Sequence, residues 1–462
     1  MNPMSIIDKI KDLVHPSVPA LELQDIQATV LFNRPDPYFG THVLLRIDAA
    51  AGGRALLGRL APHVRSAADA QGNNTAWIAV AISHAGLLAL ELPEDTLASF
   101  PEAFRVGMAA RADRLLDVGE NAPAHWESPY GAGQIHVTVS IFAPDETSWR
   151  QAMEVAREQF DGLHGVTLLG SDDFGAQPDS RNPFGYRDNI SNPTVEGGTL
   201  DVVPGQEQAI KAGEFILGYP GESGVPLAMP EPAALGRNGT FVVIRKYRAD
   251  AAAFNRFLRD NAEDEASREL LAAKLVGRWR SGAPLTLAPL QDDAQLGADP
   301  RRNDDFTYAN DQAGMQAPRG CHMRRMNPRD SKLAVLTDVN IHRIMRRSTT
   351  FGPPWRADLL EDDGQERGLF FIGLSARVTA TMEFMQQEWI NHGNFVDLGD
   401  ERDPLVGQHT KDSTFTIPQT PVRRRLHGLE NFCALRGGEY LFMPSLTALR
   451  WLAGAERADK AE

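Results

Sequence analysis

Cysteine is scarce in this chain: there are two in 462 residues, Cys321 and Cys433. That is too few for the disulfide framework of a small secreted scaffold or for a structural zinc site. Two free thiols in a reducing cytoplasm are the expectation, with a single disulfide as the alternative. Positive charge is also short, with 47 Lys and Arg against 61 Asp and Glu and a formal net charge of -14. This argues against nucleic acid or an anionic membrane as the main partner, because phosphate contacts need clustered cations. The dense basic runs are local, at Arg324 and Arg325, Arg343 to Arg347, and Arg423 to Arg425. No apolar run approaches the roughly 18 residues of a membrane span. The first twenty residues show neither an apolar core after a basic start nor a twin arginine, so a cytoplasmic location is expected.

What is present is ordinary for a soluble globular protein: 42% apolar and 23% charged residues. The length exceeds what one compact core holds, so more than one domain is expected, and self-association is left open. Strand patterns occur at His42 to Ile47, Trp77 to Ile82, Gln134 to Phe142 (half-buried, from its alternation) and Val166 to Gly170. Helical spacing occurs over Gly53 to Ala70 and Pro144 to Phe160, and short helices broken by Pro93 and Pro101 over Leu87 to Ala110. The Pro- and Gly-rich stretch 218–239 reads as a linker. A second round follows: strand Thr240 to Tyr247, helix Ala251 to Asn261, strand Leu369 to Leu374, helix Arg377 to Asn391, two short strands within Phe432 to Met443, and a helix from Ser445 to Ala453. The expected fold is therefore α+β, with two ferredoxin-like domains at 1–217 and 240–462, each an antiparallel sheet with helices on one face.

Three polar, turn-like segments hold the candidate chemistry. In 182–198 (NPFGYRDNISNPTVEGG), Asp188 reads either as a surface Asx turn or as a carboxylate lying against something, with Phe184, Tyr186 and Ile190 around it. In 320–330 (GCHMRRMNPRD), His322 is either a packed histidine or a ligand. One neutral imidazole suffices for haem iron, whereas zinc needs several close ligands. His342, His392 and His409 are scattered and no HxxxH or CxxC pattern occurs, so a single-ligand cofactor fits better if His322 binds metal. In 341–355 (IHRIMRRSTTFGPPW), a strand over Ile344 to Thr350 puts Arg346 and Ser348 on one face and Arg347 on the other. Such an arginine either meets an anion or protects a sheet edge.

Taken in order, these segments resemble the dye-decolourising peroxidases. Gly185-Tyr186-Arg187-Asp188 matches that family's G-x-x-D-G motif, with Asn189 in place of the last glycine; Asn is the residue that best tolerates positive φ after Gly. Cys321 to Asp330 is similar to C-H-I-R-R-x-N-P-R-D, and Arg343 to Gly352 to the family's R-I-x-R strand. Asp25-Ile26-Gln27, the AGLLALELPEDTLASFPEAF run from Ala85, Leu369 and Phe371 in GLFF, Asp403 to Gly407 (DPLVG), the IPQTPVRRR run from Ile417 and GGEYLFMPS from Gly437 extend the match. The pattern looks closest to the larger bacterial and fungal branch without a secretion signal.

The resemblance implies one haem b per chain, held mainly by the C-terminal domain, with His322 as the iron ligand. It implies hydrogen peroxide as oxidant and an organic electron donor such as a dye or a phenolic. Asp188 would shuttle the proton and Arg346 would stabilise developing negative charge. Asn189, Ile190, Ser191, Ser348, Leu369 and Phe371 would line the cofactor, with Ser348 adding a hydrogen bond. Arg278 and Arg280, or Arg324 and Arg329, are candidate partners for the propionates. Glu383 is the candidate acidic partner of His322. The alternative is a haem-binding or haem-handling protein with incidental peroxidase activity, which would not need Asp188 and Arg346 together.

Overall fold

The computed structural model describes residues 20–72, 74–198, 208–331, 338–393 and 395–454. Residues 1–19, read above for a leader, and the tail 455–462 lie outside the described residues.

Alternating apolar residues build a nine-stranded antiparallel sheet. Its first half comes from β1 (Phe39–Ile47), β2 (Trp77–Ser83), β3 (Val137–Ala143) and β4 (Val166–Gly175), in the order β4-β1-β3-β2. Its second half comes from β5 (Thr240–Ala249), β6 (Met345–Arg346), β7 (Thr349–Phe351), β8 (Gly368–Ser375) and β11 (Cys433–Met443), in the order β11-β5-β8-β6, with β7 also on β8. Each half thus has the fourth, first, third and second strands of its own round side by side. This is the arrangement expected of a βαββαβ ferredoxin-like unit. The halves meet where β11 pairs with β2 at Leu441↔Ser83 and Phe442↔Ile82. A small hairpin of β9 (Thr414–Ile417) and β10 (Arg424–His427), unforeseen in the sequence, stands apart.

The period of two divides the side chains between two cores. On one face lie Ile78, Val80 and Ile82 of β2, Val137, Val139 and Ile141 of β3, and Val243 and Tyr247 of β5. Residues of α1 (Ala50–Leu60), α2 (Glu146–Phe160), α3 (Ala251–Asp260) and α4 (Glu265–Val276) pack against them. On the other face Trp77, Ala79, Ala81, Val242, Ile244, Phe370 and Ile372 are covered by Ile26, Val30, Phe215 and Ile216. This second cover buries β3 almost throughout, where alternation alone suggested a half-buried strand.

Other differences have local causes. The helix expected to Ala70 stops at Leu60, where Pro62 cannot continue it, and only Ala67–Ala70 resumes. Pro93 and Pro101 sit at helix N-termini, as the sequence suggested. The stretch 218–239 carries a helical turn, Ala233–Gly236, with Leu235 buried. The segment after Arg377 is helical but π-wound, at Val378–Glu383 and Met385–Asn391. Residues 433–443 form one strand with a bulge between Leu435 and Gly437, where two short strands were expected. A Cβ at Gly437 would lie 2.5 Å from Tyr130, and one at Gly438 2.3 Å from the Met108 sulfur. Close packing, not a turn, explains these two glycines.

Beside the face that carries the first core, Arg245 of β5 is buried with Asp117, its Nη1 donating to Oδ2 at 2.9 Å. Its Nε donates to the Tyr247 hydroxyl at 2.7 Å. Burial works against the guanidinium charge, but the Asp117 carboxylate and the Tyr247 oxygen outweigh it. Removing one member of such a pair strands the other in low dielectric. Asp117→Ala is therefore expected to lower the unfolding free energy by about 3–5 kcal/mol. Denaturant titration checks this, and a change below about 1 kcal/mol would show that water reaches Arg245.

Candidate active site

All nine site residues named from the sequence line one cavity: Asp188, Asn189, Ile190, Ser191, His322, Arg346, Ser348, Leu369 and Phe371. Its volume is about 280 Å³. Three parts of the chain converge there. The 182–192 loop comes from the first half, β6 to β8 from the second sheet half, and a short helix, α5 (His322–Met326), from the segment following Gly320. Ile344, Met382, Met385, Ile390 and Val406 add apolar wall.

The loop is shaped by its own polar groups. The Asn182 side-chain oxygen accepts from the amides of Phe184 (3.0 Å) and Tyr186 (3.1 Å). The Tyr186 hydroxyl donates to the Ala272 carbonyl of α4 at 2.9 Å. Gly185 has φ +84°, and a Cβ there would lie 2.6 Å from the Trp355 ring. Asn189, in place of the motif glycine, takes φ 63°, and its Oδ1 accepts from Asn192 Nδ2 at 2.8 Å. The substitution therefore keeps the left-handed turn that a glycine would make, because the short amide side chain tolerates it.

On one wall, His322 is anchored from behind. Its Nδ1 lies 2.8 Å from Asp403 Oδ2, and Asp403 is fully buried. Asp403 Oδ1 accepts from the amides of Leu405 (2.9 Å) and Val406 (3.0 Å). Burial would raise the Asp403 carboxyl, but His322, the Val406 amide and Arg325 overcome it and hold it below its ordinary range. An ionised Asp403 fixes the proton on Nδ1 and leaves Nε2 as the free basic nitrogen. The partner expected from the sequence was Glu383. That carboxylate instead meets Arg111 (Nη2 to Oε2, 2.7 Å) and the Tyr440 hydroxyl (3.1 Å). It belongs to a buried structural pair. The true partner sits in the DPLVG segment, which the sequence singled out without a role.

Elsewhere in the cavity lining, Asp188 Oδ2 accepts from Arg34 Nη2 at 2.7 Å. Arg346 donates through Nη2 to the Ile190 carbonyl, and its amide donates to Asn192 Oδ1 at 3.0 Å. Burial pulls the Arg346 guanidinium below its ordinary value, and the Asp188 charge opposes this. The strand expected over 344–350 is split into β6 and β7, yet Arg346 and Ser348 do share the cavity side. Arg347 turns away to the Thr29 (2.7 Å) and Val30 (3.0 Å) carbonyls.

Of the four arginines considered for the propionates, only Arg278 lines the cavity. It is buried, bonded to Asp304 at 2.6 Å, and pushed down to about 10 by burial. Arg280 turns to Glu269 (2.8 Å), Arg324 to the Ala317 carbonyl (2.8 Å) and Arg329 to Asp304 (2.5 Å). Arg343, not considered from the sequence, lines the cavity as well. Among the described residues, no group of three or more His, Cys, Asp or Glu is arranged to hold a bare metal ion.

Fold and cavity together define an α+β enzyme of two ferredoxin-like halves, with a carboxylate-backed histidine in one cavity with an aspartate and an arginine. No family model matches the chain. It is 30% identical to a dye-decolorizing peroxidase of Mycetinis scorodonius, over 80% of this chain and 75% of that protein. It is also 30% identical to a dye-decolorizing peroxidase of Mycena epipterygia, over 97% of this chain and 89% of that protein. The solved structure of an ancestral D-type dye-decolorizing peroxidase superposes with TM-score 0.82 at 28% identity, covering 94% of this chain and 99% of that one. The chain belongs to the dye-decolorizing peroxidase family, and it is a peroxidase.

The loop geometry gives a direct test. Asn189→Gly is expected to leave melting temperature and peroxidase turnover near wild type. A branched side chain pays the left-handed penalty of about 1–2 kcal/mol, so Asn189→Val is expected to melt lower and turn over more slowly. Equal melting of the Val and Gly variants would show that the turn relaxes freely.

Proposed function

We propose that the cavity holds one haem b per chain, with iron on His322 Nε2, and that hydrogen peroxide is reduced between Asp188 and Arg346. The observation that carries this is one cavity lined by His322, which is backed by buried Asp403, and by Asp188 and Arg346. The residues suit the group: one backed imidazole, apolar walls that include Leu369 and Phe371, and Arg278 and Arg343 for anionic propionates. When bound, haem, iron and macrocycle together, would supply the two electrons that cleave the O–O bond and would regain them from the donor.

Asp188 accepts the proton of one peroxide oxygen and returns it to the other, which departs as water. Arg346 stabilises negative charge on the departing oxygen and stays charged in doing so. Asp403 keeps the His322 proton on Nδ1, so the ligating nitrogen is electron-rich. Ser348 and the 189–191 loop border the same space.

Relatives are named for dye decolourisation, and one matching structure is described as a complex with 2,6-dimethoxyphenol. Dyes and phenolics are the donors proposed here. Two buried thiols, both free, favour a reducing compartment, and the cytoplasm is the proposed location. Among the described residues, no helix is long and apolar enough to cross a membrane.

His322→Ala is expected to abolish the Soret band that persists through gel filtration in the wild type. Asp188→Asn and Arg346→Leu should keep the band and react with peroxide slower by about 10²–10³-fold. Wild-type rates in both would leave a haem-binding protein whose peroxidase activity is incidental. Asp403→Asn should weaken haem retention by about 10–100-fold, read by transfer to apomyoglobin. Unchanged retention would show that Asp403 does not support the ligand.

A further inference from the structure

We propose that Arg34 is the positioning residue of the peroxide-cleaving carboxylate, holding Asp188 by one oxygen from outside the cavity and leaving the other to move the proton. The inference rests on the reading of Asp188 given above. Among the described residues, Arg34 is the one cation that pairs with Asp188. It is not itself among the residues lining the cavity.

Arg34 is held on three sides. Nη2 donates to Asp188 Oδ2 at 2.7 Å and Nε to the Ser348 carbonyl at 2.7 Å. Its guanidinium carbon lies 4.0 Å from the centre of the Tyr38 ring. Tyr38 is fixed in turn, its oxygen 2.8 Å from Thr350 Oγ1 and accepting from the Thr350 amide at 3.0 Å. Ser348 and Thr350 both line the cavity, two and four residues after Arg346. One guanidinium therefore ties the loop bearing Asp188 to the strand region bearing Arg346, although the two come from different halves of the sheet.

The arrangement is poor for stability alone. The Arg34 side chain is 4% exposed, and its Nη1 is buried with no hydrogen-bond partner among the described residues. It also lies close enough to Arg347 for the two like charges to repel, and Arg346 adds to this. A buried donor left unsatisfied beside like charges costs free energy. What the arrangement secures is the direction of the carboxylate. Displacing a reacting group by about 1 Å can cost on the order of 10²-fold in rate.

The test uses the haem-loaded enzyme and the variants Arg34→Leu, Arg34→Lys, Asp188→Asn and the Leu/Asn double variant. Stopped-flow measurement of the reaction with hydrogen peroxide is expected to show Arg34→Leu slower by about 10²-fold, with Lys recovering most of the loss. The double variant should be no slower than Asp188→Asn alone, because Arg34 acts through Asp188. Crystal structures of the haem-free protein should show the Asp188 carboxylate displaced in Arg34→Leu and in place in Arg34→Lys. If the Leu variant fails to fold, Arg34→Gln, which keeps a polar side chain at this position, carries the same comparison. A slow Asp188→Asn beside a wild-type rate in Arg34→Leu overturns the positioning role alone. So does a double variant slowed by the full Arg34→Leu factor, or an unmoved carboxylate. A wild-type rate in Asp188→Asn overturns the reading of Asp188 and the positioning role with it.

Discussion

The hydrogen bond from His322 to Asp403 is the constraint on which the cavity depends. A fully buried carboxylate is expensive to keep ionised, and four separate groups are set to do so. Two are the amides of Leu405 and Val406, supplied by the turn after Pro404. The others are His322 and Arg325. Arg325 is buried among carbonyls, donating to those of Trp389 (2.7 Å) and Glu401 (2.6 Å). It thus joins α5 to the π-helical segment and to the stretch that leads to Asp403. The direction of one imidazole is set by a residue 81 positions further along the chain, from His322 to Asp403.

The lining around Asp188 and Arg346 follows a different logic. Its loop belongs to the first sheet half, and its strands to the second. Backbone carbonyls and side-chain amides join them: Arg346 to Ile190, Asn192 to the Arg346 amide, Arg34 to Ser348. Such contacts depend little on which apolar residues fill the core behind them.

Much of this was legible in the sequence, for reasons that differ by element. Strands β1 to β5 declared themselves through runs of branched residues, and α2 through Asp145, whose side chain accepts from the Ser148 amide at 2.8 Å. The cavity residues were legible only together: Asp188, His322 and Arg346 each had a bland local reading, and their order along the chain decided between the readings. Asp403 and Arg34 escaped. Asp403 lies in a turn whose pattern carries no sign of what its side chain touches, and Glu383, on an expected helix, was a reasonable choice that Arg111 had already claimed. Arg34 sits 154 residues from Asp188, in a proline-flanked stretch with no periodicity. Long-range polar pairs leave no trace in local spacing, whereas apolar periodicity does.

The cavity's arginines set one further condition. Arg278 shares Asp304 with Arg329 and Ser191, and Arg346 has a carbonyl and the nearby charge of Asp188. Burial pulls both guanidinium groups below their ordinary values, so neither has its charge fully offset by the protein. Buried cations whose charge is only partly compensated carry a desolvation cost in the folded state. An anionic ligand relieves that cost, and its binding energy adds to folding stability through linkage. The features that suit the cavity to an anionic ligand are thus the same ones that leave it under electrostatic stress.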